Sequence, residues 1–175
     1  MIYIIPLLIG FVMNIISSIY VRNRAEKLLK DPYIPLPDII HDTFPRIPIL
    51  IPDYFLLFCF CLLIFHYTSL IHIEKNILCI GICTIIRSFS VVMTTMPTCM
   101  MKPEKPENIY IELFHSSHDL MFSGHSLFFI AFGNMMDIYF IKIAGPFLLI
   151  ISRQHYTIDI FGSHLVYYFV YTNLE

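Results

Sequence analysis

Charge is what this chain has least of. Lys, Arg, Asp and Glu make up 14% of its 175 residues, against about a quarter in an ordinary soluble domain. The 11 basic and 13 acidic residues leave a formal net charge of -2. There is no basic block of the kind that tracks a phosphate backbone, so nucleic acid is excluded as a partner. There is no CxxC pair either. The five cysteines (Cys59, Cys61, Cys79, Cys83 and Cys99) are odd in number and lack zinc spacing. That argues against a disulfide framework and against a metal site. Four of them lie in apolar runs, where they read as small interior residues. Internal repeats and low-complexity tracts are missing. The opening MIYIIPLLIGFVMNIISSIY has neither a basic leader nor a small-residue cleavage site, and reads as a retained helix rather than a cleaved signal.

What is present is apolar surface. Hydrophobic residues account for 57% of the chain. The length alone would allow one or two soluble domains, but the apolar runs are long, recurrent and nearly free of charge, which points to the bilayer as solvent. A spanning helix needs about 20 apolar residues. Met1–Val21, Ile51–Ile71, Ile77–Met96, Asp119–Met136, Ile138–Ser152 and Tyr156–Thr172 are the candidate spans. The expectation is an all-α, polytopic membrane protein, one six-transmembrane-helix bundle over residues 1–175, with no soluble tail domain. The Pro-rich stretch after Val21 reads as a loop whose first part could be an interfacial helix ended by Pro32. The segment from Pro97 to His118 reads as a second loop. The 16 Phe and 11 Tyr fit lipid-facing and belt positions.

Ionisable residues inside spans are costly and tend to be functional. His125 follows Phe-Ser-Gly at the start of the fourth span, and His155 and Asp159 open the sixth in HYTID. Spacing of i, i+4 places His155 and Asp159 on one helix face, where a carboxylate can hold one imidazole nitrogen as N–H and leave the other as nucleophile or base. With six spans, the starts of spans four and six share one side, so His125 can meet that pair. Only 29 residues separate His125 from His155. Two full crossings need about 40 plus a turn, so both histidines are expected below the surface, in a recessed polar chamber. Ser123 and Gly124 precede a helix start, where free N–H groups favour phosphate and glycine allows close approach. Arg87 in the third span would add positive charge. Together these point to phosphoryl transfer. Asp38 and Asp42 in PDIIHD would align at i, i+4 if that segment is helical. His41, His66, His72, His115 and His164 have no evident partner and read as interfacial or packing residues.

At these residues a family resemblance emerges. SHDLMFSGHS and HYTIDI resemble the two active-site motifs of the sphingomyelin synthase family, within the wider type-2 phosphatidate phosphatase superfamily. PLPDIIHDTFPR (Pro35–Arg46) resembles the family's first-loop motif, and RSFSVVMTTMPTC (Arg87–Cys99) its third-span motif. The resemblance implies six spans and transfer of a phospho-head-group, phosphocholine or phosphoethanolamine, from a glycerophospholipid to ceramide. It assigns the catalytic roles to His125, His155 and Asp159: His155 as the nucleophile oriented by Asp159, His125 as acid and then base, with no metal and no cofactor. Asp119, Ser123, Gly124, Arg87 and Asp38 become substrate-binding candidates. Membrane lipids are the implied partners, in the Golgi, endoplasmic reticulum or plasma membrane. The chain departs from the family in having Ser117-His118-Asp119 where Cys-Gly-Asp is usual. His118 would narrow the head-group pocket.

Two enzymatic classes use these residues. One is the transferase; the other is a lipid phosphate phosphatase with water as acceptor. Phosphatases of the superfamily carry an Arg several residues before the final His, whereas Arg153 lies only two before His155, which favours the transferase. A non-catalytic scaffold is argued against by the intact His, His and Asp. Sidedness divides the two lines of reasoning. Loops one, three and five hold eight basic residues against two on the other face, which places the site in the cytosol by the positive-inside tendency. The resemblance implies the lumen or cell exterior.

Overall fold

Local signals set the helix boundaries. Asp38 caps a short helix, Pro52 opens a longer one from its first turn, and Ser123 caps a third through its own hydroxyl. The computed structural model describes residues 3–28, 34–66, 70–99 and 120–174, and within them it is all-helical. The helices are α1 (Ile4–Leu28), α2 (Ile39–Thr43), α3 (Ile51–Phe65), α4 (Leu70–Met93), α5 (Gly124–Met135), α6 (Tyr139–Ile151) and α7 (Thr157–Asn173). Asp119, His115 and His118 lie outside the described residues.

Among the described residues two helices are long and apolar enough to cross a membrane, α1 over Ile4–Ala25 and α4 over its whole length. The 15 residues of α3 and 13 of α6 run only about 22 and 20 Å at 1.5 Å per residue, short of a hydrocarbon core of about 30 Å. The hairpin between α5 and α6 is tight. Asp137 takes a left-handed φ of 54°, and Ile138 N donates to Gly133 O at 2.9 Å. A Cβ at Gly133 would strike the Lys142 stem and come within 3.0 Å of Ile138 O. Glycine therefore lets the second helix fold back at once.

The central helix is α5, which packs against α3, α4, α6 and α7. Its Leu127, Phe129, Ile130 and Ala131 are buried with Cys83, Ile141 and Leu149. Fully burying a side chain such as Phe129 contributes about 1.5–3 kcal/mol. The first helix packs parallel to α4. Gly10 meets Gly81 at one level, and Arg24 Nη1 donates to Val92 O at 2.8 Å further along. A Cβ on Gly81 would fall 2.6 Å from Leu7 N and 2.7 Å from Pro6 C, both backbone. Backbone cannot rotate away, so Gly81→Val is expected to force α1 off α4. The cost is about 3 kcal/mol, or roughly 6–12 °C in melting midpoint for a chain of this size. Thermal unfolding of the detergent-solubilised protein reads it; an unchanged midpoint would show that the two backbones do not touch.

The direction of the helices gathers the functional residues. The C-terminal ends of α1, α4 and α6 and the N-terminal ends of α3, α5 and α7 share one end with α2. The links are Arg24 to Val92 O, Gln154 to Ile49 O (2.6 Å), Ile47 N to Ile151 O (3.2 Å) and Ser123 N to Asp159 O (3.4 Å). At the opposite end Lys75 lies over the Tyr171 ring at 4.4 Å, and the Tyr167 hydroxyl donates to the Asn76 side chain.

Those last contacts account for a boundary that differs from the sequence-based spans. The break expected between Ile71 and Ile77 lies inside α4, whose first turns hold His72, Glu74, Lys75 and Asn76. Lys75 and Asn76 find partners on α7, so the helix runs through them. The preceding helix ends earlier, at Phe65. At the N-terminal end, α1 runs to Leu28 as one helix instead of breaking after Val21. The last three helices fall within a few residues of expectation.

Apolar side chains lie on the outside as well as in the core, and several polar ones are buried. Large apolar side chains such as Leu8, Ile16, Phe58, Phe89, Phe140, Phe161 and Phe169 face outward, while Ser17, Asn76, Arg87, Ser88, Ser126 and Asp159 are buried.

Candidate functional site

His155 sits in the turn between α6 and α7, before the Tyr156 cap. Its Nδ1 faces Asp159 Oδ2 at 3.4 Å, and both side chains are buried, at 7% and 2% exposure. The pairing predicted from the sequence is present, but its cause differs. His155 is not on the helix. Asp159 occupies the third position of α7 and reaches back over the cap, where Oδ2 also accepts from Tyr156 N at 3.1 Å. An acidic side chain there is favoured by the helix dipole. Capping, rather than a shared helical face, brings the carboxylate to the imidazole.

The backbone around His155 is held from several directions. Arg153 adopts a left-handed φ of 64° and donates to His41 O, with a further 3.5 Å contact to Phe44 O. His41 Nε2 donates to His155 O at 3.1 Å; a carbonyl only accepts, which fixes the His41 proton on Nε2. Sequence reasoning gave His41 no partner. Burial of its ring against Tyr156, 5.6 Å between centroids, makes it part of the wall.

Asp38, a candidate for substrate binding, caps two helices. Oδ1 accepts from Ile40 N (3.0 Å), His41 N (3.3 Å) and Thr157 Oγ1 (2.8 Å), and Oδ2 accepts from Thr157 N (2.7 Å). Asp42 is exposed, so the two carboxylates do not align: Asp38 stands outside α2 as its cap. Asp38→Asn turns one acceptor into a donor facing Thr157 N–H. The expected result is a loss of about 1–3 kcal/mol of stability, read in thermal unfolding. A stability left unchanged with a raised donor KM would return Asp38 to the substrate.

The other half of the site is the turn before α5. Phe122 takes a strained φ of 27°, and its carbonyl accepts from Arg87 Nε at 2.8 Å. Non-glycine residues in this region cost about 1–3 kcal/mol and cluster at ligand sites. Arg87 is 3% exposed and also donates to Asn14 Oδ1 of α1. Gly124 lies beside it: a Cβ there would meet Arg87 Nε at 3.7 Å, an ordinary contact. The left-handed residue of this turn is thus Phe122, and Gly124 leaves the guanidinium an open backbone face. Ser123 Oγ accepts from Ser126 N at 3.1 Å, and Ser123 N donates to Ser163 Oγ at 2.7 Å, docking the turn on α7.

His125 is the second residue of α5 and 24% exposed. Its Nε2 lies 3.7 Å from Asp53 Oδ1 in the first turn of α3. Sequence reasoning missed Asp53. The signal was there, since a carboxylate in the first turn of an uncharged run falls under the rule that singled out Arg87. Also missed was Tyr156, whose hydroxyl accepts from Leu36 N (2.9 Å) and faces Pro97 O (3.3 Å) and Thr98 O (3.1 Å). Through Tyr156, Asp38 and Arg87, the segments 35–46, 87–99, 120–127 and 155–160 meet at one end of the bundle.

No family model matches this chain, and no curated protein does.

Cys99 completes the wall beside Tyr156. Burial, with the nearby Asp159 and Asp38 carboxylates, pushes its thiol well above the usual range. A raised thiol pKa disfavours the reactive thiolate form. Among the described residues no group of three or more His, Cys, Asp and Glu side chains could hold a metal ion.

Proposed function

We propose that the chain is a multi-pass membrane phosphotransferase that moves a phospho-head-group from a glycerophospholipid to ceramide. The observation that carries this reading is the buried His155–Asp159 pair, docked through Ser123 and Ser163 against a turn that holds a buried arginine. Asp159 holds Nδ1–H of His155, leaving Nε2 to attack phosphorus. The bond from phosphorus to the diacylglycerol oxygen breaks as His125 gives that oxygen a proton. The phospho-head-group stays on Nε2 of His155. His125 then takes the proton of the ceramide hydroxyl as that oxygen attacks phosphorus, and His155 leaves. Arg87 and the free N–H groups at the start of α5 face the phosphate charge.

The bilayer setting, with six crossings by α1 and α3–α7, is supported by the alternating helix directions, the outward apolar side chains and the buried polar ones. The short α5–α6 hairpin fits a site recessed from the surface. Water as acceptor would make the chain a lipid phosphate phosphatase. Against that stands Arg153, whose guanidinium is directed at the carbonyls of His41 and Phe44. The deciding experiment supplies labelled ceramide to membranes containing the protein and analyses the lipids by mass spectrometry. A labelled phosphosphingolipid and new diacylglycerol are expected. Free phospho-head-group with unmodified ceramide would give the phosphatase instead.

A further inference from the structure

We infer that Asp53 is the positioning residue of His125, so that each histidine of the site has its own carboxylate. This rests on the phosphotransferase reading and deepens it. Asp53 lies in the first turn of α3, where an acidic side chain is favoured by the helix dipole. Ring contacts hold α3 parallel to α5: Phe55 stacks on Phe129 at 5.5 Å and Phe60 meets Phe132 at 6.2 Å between centroids. Carried seven residues, about two turns, from Phe60 and Phe132 toward the N-termini, that register sets Asp53 opposite His125, with Oδ1 3.7 Å from Nε2. This is ion-pair range, and catalytic hydrogen bonds commonly shorten when substrate arrives. Among the described residues, the other charged or titratable groups at this end of the helices packed on α5 are Tyr54 of α3, Arg87 of α4 and Asp159 of α7, with Arg153 and His155 in the turn between α6 and α7; Lys142 of α6 belongs to the opposite end.

The two pairs are arranged differently. His155 is held at Nδ1 by Asp159 and reacts at Nε2. His125 is held at Nε2 by Asp53, so its proton is exchanged at Nδ1. In the first step Nδ1–H passes to the departing alkoxide, and in the second Nδ1 takes the acceptor's hydroxyl proton. Asp53 faces the imidazolium charge in both steps.

Asp53→Asn is expected to lower kcat about 100-fold with donor KM changed by less than about twofold, the mark of lost acid–base catalysis. The loss should nearly vanish with a p-nitrophenyl ester of the same phospho-head-group, whose leaving group departs as a stable anion and needs no proton. His155→Ala should fail on both donors. An equal loss of Asp53→Asn on both donors, or none on either, would overturn the assignment. Ring ¹⁵N resonances of labelled histidine, with His125 assigned from H125Q, test the pairing without turnover. Asp53→Asn should move the His125 resonances and leave those of His155. Unmoved His125 resonances would also overturn it. Should the unmodified protein transfer nothing from any phospholipid, the phosphotransferase reading fails while the resonances still decide the pairing.

Discussion

Transfer activity should fall below detection in His155→Ala, a loss of roughly 10⁴-fold or more, as for removal of a triad member elsewhere. The imidazole is buried beside Asp159, and burial pushes the Cys99 thiol of the same wall well above its usual range. Asp159→Asn should come close to the same loss, because the amide holds the wrong tautomer and also presents a donor to Tyr156 N–H. Since the residues act as one unit, His125→Ala combined with His155→Ala should be little worse than His155→Ala alone. A phospholipid labelled in its phosphate separates the roles further. Label should be retained on the protein carrying His125→Ala, whose second step lacks its base, and be missing from His155→Ala. Label on His155→Ala, or near-normal transfer by the double variant, would remove His155 as nucleophile.

The second large effect is expected at Arg87. Arg87→Gln should reduce kcat/KM by about 10²–10³-fold, the range for losing one donor to a developing oxyanion. The side chain does two things at once. Its Nε fixes the strained Phe122 carbonyl at the mouth of α5, and its guanidinium borders the open face of Gly124. Lysine carries the charge but not the planar fork. Arg87→Lys should therefore recover little activity, and Asn14→Ala, which removes the other acceptor, should cost less than either. Steady-state kinetics on both Arg87 variants, with melting midpoints alongside, would check this. Full activity in Arg87→Lys would show that only charge matters there. A large fall in melting midpoint with kcat/KM preserved would show that Arg87 is structural.

How far the sequence reads through depends on the kind of residue. Long apolar runs gave the last two helices to within a residue at each end, because nothing within them competes with helix formation, whereas α5 starts at Gly124, five residues after the expected Asp119, where the Ser123 cap sets it. The first turns of α4 failed for the opposite reason. Lys75 and Asn76 look like loop residues until Tyr171 and Tyr167 are seen beside them. His155 and Asp159 were legible as a pair because they are close in the chain, although a capping turn rather than a helix face joins them. Asp38 was legible as a candidate but its capping role was not, since its partners at Thr157 are 119 positions away.

By itself the sequence determined an all-helical, apolar chain, and it singled out His125, His155 and Asp159, which the structure places at one end of the helices. These depend on composition and short-range spacing, which a linear chain carries openly. Only the tertiary structure decided which carboxylate lies beside which histidine, that Tyr156 joins three distant segments, that Asp38 caps two helices, and that α1 lies flush on α4 through Gly81. Each depends on a donor and an acceptor, or two backbones, meeting across many residues of chain. That meeting is fixed by how helices pack around α5, which no local pattern encodes.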